Sequence, residues 1–192
     1  MTLMQPFKTD LGLTTGIIEQ VADKRIIRRL SHMQGMYADT DATDKILAEE
    51  GDRLIYAVYP VDLPEEEGQV LHSTTVIYPG RIGNEYHMTK GHFHTKRNRA
   101  EIYLGLAGEG YLLLMTDQGE VASVPMTAGT IAYVPPYWAH RTVNTGSQPF
   151  IFFAAWPGDS GHDYGTIEDI GFAKILVERD GQPALVDNPN FR

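Results

Sequence analysis

Three histidines and one glutamate carry the most chemical information in this 192-residue sequence. His92 and His94 are one residue apart, Glu101 follows six intervening residues later, and His140 lies beyond Pro135-Pro136-Tyr137-Trp138. Side chains of an extended strand alternate faces with a period of two, so His92 and His94 are expected on one face and Phe93 on the other. The interval before Glu101 holds Lys96, Arg97, Asn98 and Arg99, enough polar chain for a turn before a new strand. Three imidazoles and a carboxylate form a facial ligand set that leaves positions open on an octahedral ion, and Fe²⁺, Mn²⁺, Ni²⁺, Co²⁺ or Zn²⁺ accept such ligands. A His-X-His pair alone is commonly a surface accident. Joined to Glu101, to a distant His140 behind a double proline, and to glycines at the expected hairpins, it predicts a divalent metal site. Cysteine is absent, so thiolate ligands, disulfides and a cysteine nucleophile are excluded.

Positioning these residues requires short strands, and the sequence has them. Runs rich in Val, Tyr and Thr at 54–59 and 71–78 read as strands separated by an exposed loop that contains Glu65, Glu66 and Glu67. Further runs at 101–106, 111–115, 121–125, 130–134, 141–143 and 149–156 are bounded by turn signals such as Gly108-Glu109-Gly110, Ala128-Gly129 and Asn144-Thr145-Gly146. Many short strands at this spacing predict an all-β barrel or sandwich, with a core over about 54–156. Ahead of it, Ile17, Ile18 and Val21 suggest a short apolar turn or helix, and 24–29 reads as its solvated basic flank. A helix is expected over 43–50, capped by Asp41 and ended by Gly51. A last hairpin is expected over 173–178 and 184–186, turned at Asp180-Gly181.

Length and composition set the outer limits. The chain fits one compact domain, 1–192, because cores usually divide only above roughly 250 residues. Its 42% hydrophobic fraction is too high for a chain disordered throughout, and a net charge of −9 argues against a nucleic-acid partner. A small anionic ligand stays possible, since a local site can oppose the global charge. The opening Met-Thr-Leu-Met-Gln-Pro lacks the basic and apolar regions of a secretion signal, and the longest apolar run, 150–156, falls far short of a membrane span. The expectation is a cytoplasmic protein with neither a nucleic-acid nor a membrane partner.

Two longer motifs carry a family resemblance. Gly91-His-Phe-His94, six residues, Glu101, six residues, Gly108 resembles the first cupin motif; Gly129, five residues, Pro135, four residues, His140, three residues, Asn144 resembles the second. The long His94-to-Glu101 spacing, and Tyr137 where a glycine is usual, resemble one branch in particular, the cupin-type glucose-6-phosphate isomerases. The likeness runs through Arg28-Arg-Leu-Ser31, Thr74-Thr-Val-Ile77, Gly83-Asn-Glu85, 88–95, 133–143 and 161–166. It implies a double-stranded β-helix, or jelly-roll barrel, with short N-terminal helices. It also implies a homodimer with one divalent ion per subunit, Fe²⁺ favoured, held by His92, His94, Glu101 and His140. The implied substrate is a phosphorylated hexose, touched by Thr75, Thr89, Gly91, Tyr103, His162 and Tyr164. Trp156 stands where the family usually has tyrosine, which keeps one N–H donor and loses the acceptor.

The implied reaction moves hydrogen between C1 and C2 of an open-chain sugar. Glu101 is the candidate base, although metal ligation lowers a carboxylate's basicity; a direct hydride shift with Glu101 only as ligand is the alternative. His162 is a candidate acid or base for ring opening. Lys90 reads as solvated, Tyr103 shares the face of Glu101, and Trp138 is expected to pack beneath the strand of His140. Two other readings keep the metal: an oxygen-dependent cupin, and a sugar-phosphate-binding protein without turnover.

Overall fold

The computed structural model describes residues 4–192, so the first three residues of the opening stretch lie outside the described residues. In chain order the elements are β1 (Ile26–Arg29), α1 (Thr40–Glu49), β2 (Leu54–Pro60), β3 (Val70–Ile77), β4 (Arg81–Ile82), β5 (Glu85–Tyr86), β6 (Glu101–Ala107) and β7 (Glu109–Met115). Then follow β8 (Val121–Thr127), β9 (Ile131–Val134), β10 (Ala139–Asn144), β11 (Phe150–Pro157), α2 (Tyr164–Ile170), β12 (Lys174–Arg179) and β13 (Gln182–Asp187). Short 3-10 helices flank β1, at Glu19–Lys24 and Leu30–Met33.

The expected all-β jelly-roll barrel is not what forms. The fold mixes helices with three separate antiparallel sheets: six strands ordered β1-β2-β3-β11-β6-β9, three ordered β10-β7-β8, and four ordered β13-β12-β5-β4. A barrel needs its first and last strands to pair around the ring. Among the described residues each of these sheets instead ends in two unpaired edges.

The six-stranded sheet has two buried faces, which explains its nearly continuous apolar runs. One face carries Val58, Thr75 and Phe152 in one cross-strand row and Ser73, Ala154 and Tyr103 in the next. It packs toward the three-stranded sheet, whose Leu112 and Leu114 share a core with Ile77, Phe150, Phe152 and Tyr103. The other face carries Ala57, Tyr59, Val76 and Ile151, covered by Ile18 and Val21 of the N-terminal segment. On β7, Leu113 and Met115 point away from the central core, into a third cluster with Phe93, Ile167 and Phe172. Trp138 is partly buried against the central core.

Several local expectations change. The 24–29 stretch is not merely a solvated flank, because its last four residues form strand β1, with Arg28 opposite Tyr56 of β2. The first helix begins at Thr40, three residues before the expected 43, and its cap lies two residues before Asp41: the Asp39 carboxylate accepts from Ala42 N at 2.8 Å, leaving Asp41 in the first turn. There its charge favours the positive helix end. The Asp180-Gly181 hairpin forms as expected, both residues having positive φ. The two-residue strands β4 and β5 and the helix α2 went unread, being too short to display a period.

Glu85 on β5 is buried at 3% exposure, and its Oε2 accepts from Ala38 N at 2.9 Å while Oε1 has no partner. Burial pushes its carboxyl up to about 7, against the pull of Ala38 N–H and Arg141. The native state thus keeps a proton that the unfolded chain releases at ordinary carboxylate pH, so stability declines as pH rises from there toward about 7. Urea melts at pH 5 and pH 8 should show a loss on the order of 2 kcal/mol from this group, and Glu85→Gln should flatten the difference. An equal pH slope in the variant would refute this assignment.

Candidate metal centre and the cavity around it

The His92–His94 segment is extended but joins no ladder. His92 bridges His140 through paired backbone bonds, His92 N to His140 O at 3.2 Å and His140 N to His92 O at 3.0 Å. Phe93 bridges Asp163 on the other side. The expected alternation holds, with the Phe93 ring buried in the third cluster and both imidazoles on the opposite side. Glu101 opens β6 and His140 lies in β10, so the site sits where the two facing sheets meet.

The ligating atoms of His92, His94, Glu101 and His140 all lie within 4.8 Å of one another. His94 Nδ1 stands 3.0 Å from Arg99 O, which fixes its N–H there and turns the Nε2 lone pair inward. His140 is oriented the same way by Trp138 O at 3.4 Å. The two inward Nε2 atoms lie 3.1 and 3.0 Å from the same Glu101 oxygen, that of His140 off-line for a hydrogen bond. His92 Nε2 is buried without a partner. Imidazole lone pairs converging on a carboxylate oxygen lack protons to share, and a cation among them satisfies every donor. This is a divalent metal-binding site. Burial, helped by the neighbouring rings of His140, His162 and His94, pushes His92 well below its ordinary range and keeps it a neutral ligand. For Glu101, burial resists ionisation, and in the metal-free site the His140 and His94 rings outweigh it when they carry protons, holding the carboxyl well below the usual range.

The loop between His94 and Glu101 is clamped rather than loose. Arg99 grips Asp159 in a two-pronged pair, Nε to Oδ1 at 2.9 Å and Nη2 to Oδ2 at 2.6 Å, and Lys96 Nζ adds a contact to Oδ2 at 2.7 Å. Arg97 reaches Asp163 at 2.7 Å and lies 3.9 Å over the Phe93 ring. Since the Arg99 carbonyl orients His94, the clamp acts on the site through backbone. Asp159→Asn should weaken metal binding about 10-fold in chelator competition, the usual cost of losing an outer support. Unchanged affinity would show that the loop holds itself.

Beside the cluster opens a cavity of about 550 Å³, within the roughly 300–1,000 Å³ common for small-molecule sites. His92, Glu101 and His140 reach it, whereas His94 is not among its lining. Thr75, Thr89, Gly91, Tyr103, Trp156, His162 and Tyr164 all line it, as do Arg28 and Tyr56, which sequence reasoning passed over. The signal for Arg28 was a four-residue strand inside a basic run. His162 stacks on Tyr164 with ring centroids 5.8 Å apart and lies 4.6 Å from His92. Burial lowers the His162 pKa, keeping its ring neutral near pH 7. Burial and the Glu101 carboxylate raise the Tyr103 phenol well above its ordinary range. Trp156 Nε1 is buried with no partner, and Thr89 Oγ1 accepts from Thr142 N at 3.0 Å. Lys90, read as solvated, is instead paired with Glu168 at 2.8 Å.

A metal centre opening on a ligand-sized, hydroxyl-lined cavity defines a metalloenzyme. A sequence model of the family described as Glucose-6-phosphate isomerase (GPI) matches residues 27–190. The chain is 52% identical over 192 residues to a glucose-6-phosphate isomerase of Thermococcus litoralis, covering 100% of both chains. It is 35% identical to one of Sinorhizobium medicae (strain WSM419), covering 99% of this chain and 89% of that one. A solved oxalate oxidase structure is similar over 60% of this chain and 58% of that chain, at 19% identity and a TM-score of 0.48. The chain belongs to the glucose-6-phosphate isomerase family.

Proposed function

We propose that this protein interconverts glucose 6-phosphate and fructose 6-phosphate in the cytoplasm, with one divalent ion per subunit. Fe²⁺ is favoured by the family resemblance, and the same donors suit Mn²⁺, Ni²⁺, Co²⁺ or Zn²⁺. One observation carries the reading: a single cavity joins the four-donor cluster to the hydroxyls of Thr75, Thr89 and Tyr164. That arrangement offers a charge-stabilising end for C1 and C2 and a hydrogen-bonding end for a phosphate. The ion, when bound by His92, His94, Glu101 and His140, supplies Lewis-acid stabilisation of the negative charge that develops on the substrate oxygens.

The protein's own groups do the rest. His162, neutral and beside His92, is placed to exchange a proton with the ring oxygen as the sugar opens. Tyr103, held protonated, donates toward the reacting end, and Trp156 Nε1 offers an otherwise unused donor. Thr89 is pre-oriented by its bond from Thr142 N, leaving its O–H free to donate.

The protein is proposed to work as a homodimer. Ile131 and Tyr133 on the edge strand β9, with Ile102 beside them, are exposed and form an apolar surface suited to burial against a second copy. Light scattering should report a dimer, and a monomer at working concentration would refute it. The functional test is conversion of fructose 6-phosphate, coupled to a dehydrogenase, on chelator-stripped protein and after adding each ion. Ion-dependent turnover supports the reading. Its absence at measured occupancy overturns it and directs attention to oxygen uptake or binding without turnover.

A further inference from the structure

The segment that delivers His92 to the metal cluster holds one residue more than the strand it faces. Met88 bridges Val143 and His92 bridges His140, so five residues on one side oppose four on the other. An extra residue of this kind is a β-bulge, which bends the chain and re-aims the side chain beside it. It falls at Lys90-Gly91, where Gly91 takes φ +76, the left-handed conformation that glycine adopts at such sites. A bulge leaves backbone groups outside the ladder, and here side chains take them up. Thr142 N donates to Thr89 Oγ1 at 3.0 Å, and Arg141 Nη2 donates to Lys90 O at 2.6 Å. Among the described residues no backbone N–H reaches the Lys90 carbonyl.

Arg141 follows the ligand His140 on β10, and strand alternation sends it to the opposite face. There it is 2% exposed, opposite Leu113 of β7, with its guanidinium 4.2 Å over the Phe172 ring. Its remaining contacts are poor ones. Nη1 meets a sulfur, Met88 Sδ, at 3.1 Å, Nε has no partner, and the facing carboxylate of Glu85 bonds to Ala38 N instead. A cation buried with so few partners costs stability that an apolar side chain of similar volume would not. The strong bond it makes there is the one to Lys90 O. We propose that Arg141 is a positioning residue for the metal centre: its guanidinium pins the bulged Lys90-Gly91 peptide and so fixes the backbone that carries His92. Without that donor the Lys90 carbonyl is unpaired, and the peptide is free to turn over, because glycine accepts φ of either sign. The His92 ring then leaves the place where it meets His94, Glu101 and His140. The assignment rests on the metal-binding site and not on the reaction.

The probe is Co²⁺, whose visible absorption reports the number and arrangement of its ligands, titrated into chelator-stripped protein. In Arg141→Met, Co²⁺ affinity should fall at least ~10-fold, the usual cost of losing an outer support, and the absorption band should shift even at saturating metal. Arg141→Gln, polar but too short to span the same gap, should behave alike and carries the test if the methionine variant does not fold. Ile167→Ala is the packing control, since Ile167 is buried in the same apolar cluster as Phe172 and has no donor to offer. It should lower Tm, as large-to-small changes in a core do, while Co²⁺ affinity stays within about twofold of wild type and the spectrum is unchanged. Wild-type affinity and spectrum in either arginine variant overturns the proposal. So does an equal change in Ile167→Ala, because loosened packing would then account for the effect. Turnover plays no part in this readout, so a failure of the isomerase reading and a failure of this assignment are told apart.

Discussion

Glu101→Gln is expected to lower turnover ~10²–10⁴-fold even when metal occupancy is fully restored, the range associated with losing a group that takes part in proton transfer. Glutamine preserves shape and one carbonyl oxygen but carries no charge and no basicity. In the wild type one carboxylate oxygen faces the inward Nε2 atoms of His94 and His140 at 3.1 and 3.0 Å. An amide N–H turned into that space would donate to an imidazole and occupy a lone pair needed for the ion. Two losses therefore combine, in ligand charge and in ligand geometry, and they are separated by measuring metal content alongside rate. A kcat near wild type at full occupancy would remove Glu101 from both the ligand and the base role. The same assay in D₂O addresses the route of the hydrogen. A cation held by the carboxylate withdraws charge from it, so Glu101 is a weak base when it serves as a ligand. Deuterium entering the C–H of product in the wild type would show that a base carries the proton through an enediol and overturn a pure hydride shift; complete retention fits a hydride shift or a proton returned before it meets solvent.

The metal ligands were legible because their spacing encodes their geometry. A period of two put His92 and His94 on one side, and His140 returned beside them through the backbone bridge to His92. The strand content was legible for a similar reason, since turn residues bounded nearly every run. How the strands were shared was not. An apolar run such as Phe150-Ile-Phe-Phe reads the same in a barrel stave and in a sheet buried on both faces. Only pairing distinguishes them: β11 lies between β3 and β6, while β10 leaves for another sheet with β7. Arg28 was hidden by its neighbours. In Lys24-Arg25-Ile26-Ile27-Arg28-Arg29 charge density suggests solvent, and only pairing with Tyr56 turns one arginine inward. Lys90 was misread through a partner 78 residues away, Glu168, a separation at which no local pattern helps.

Gly91→Ala is expected to be the most damaging substitution of a single methyl group near the site. Gly91 has φ +76, in the left-handed region that costs other residues about 1–2 kcal/mol. The added Cβ would lie 2.8 Å from Arg141 Cβ, 2.8 Å from Phe172 Cε2 and 3.1 Å from His140 O. None of these neighbours can easily give. Phe172 and Arg141 are buried, the guanidinium lies 4.2 Å over the Phe172 ring, and Arg141 Nη2 donates to Lys90 O at 2.6 Å. Overpacking of this kind adds about 1–3 kcal/mol, so Tm should fall by roughly 5–15 °C for a chain of this size. The function should suffer further, because His140 O is the acceptor for His92 N, and pushing it outward separates two ligands. Metal affinity should drop at least ~10-fold. Gly129→Ala is the matched control: its φ is +86, yet nothing lies within 4 Å of the added atom. It should show only the backbone cost, a Tm loss of a few degrees at ~1 kcal/mol with metal binding intact. If the two variants behave alike, crowding behind the Gly91 turn does not hold the ligands in place, and the close approach of Arg141 and Phe172 is incidental to the metal centre.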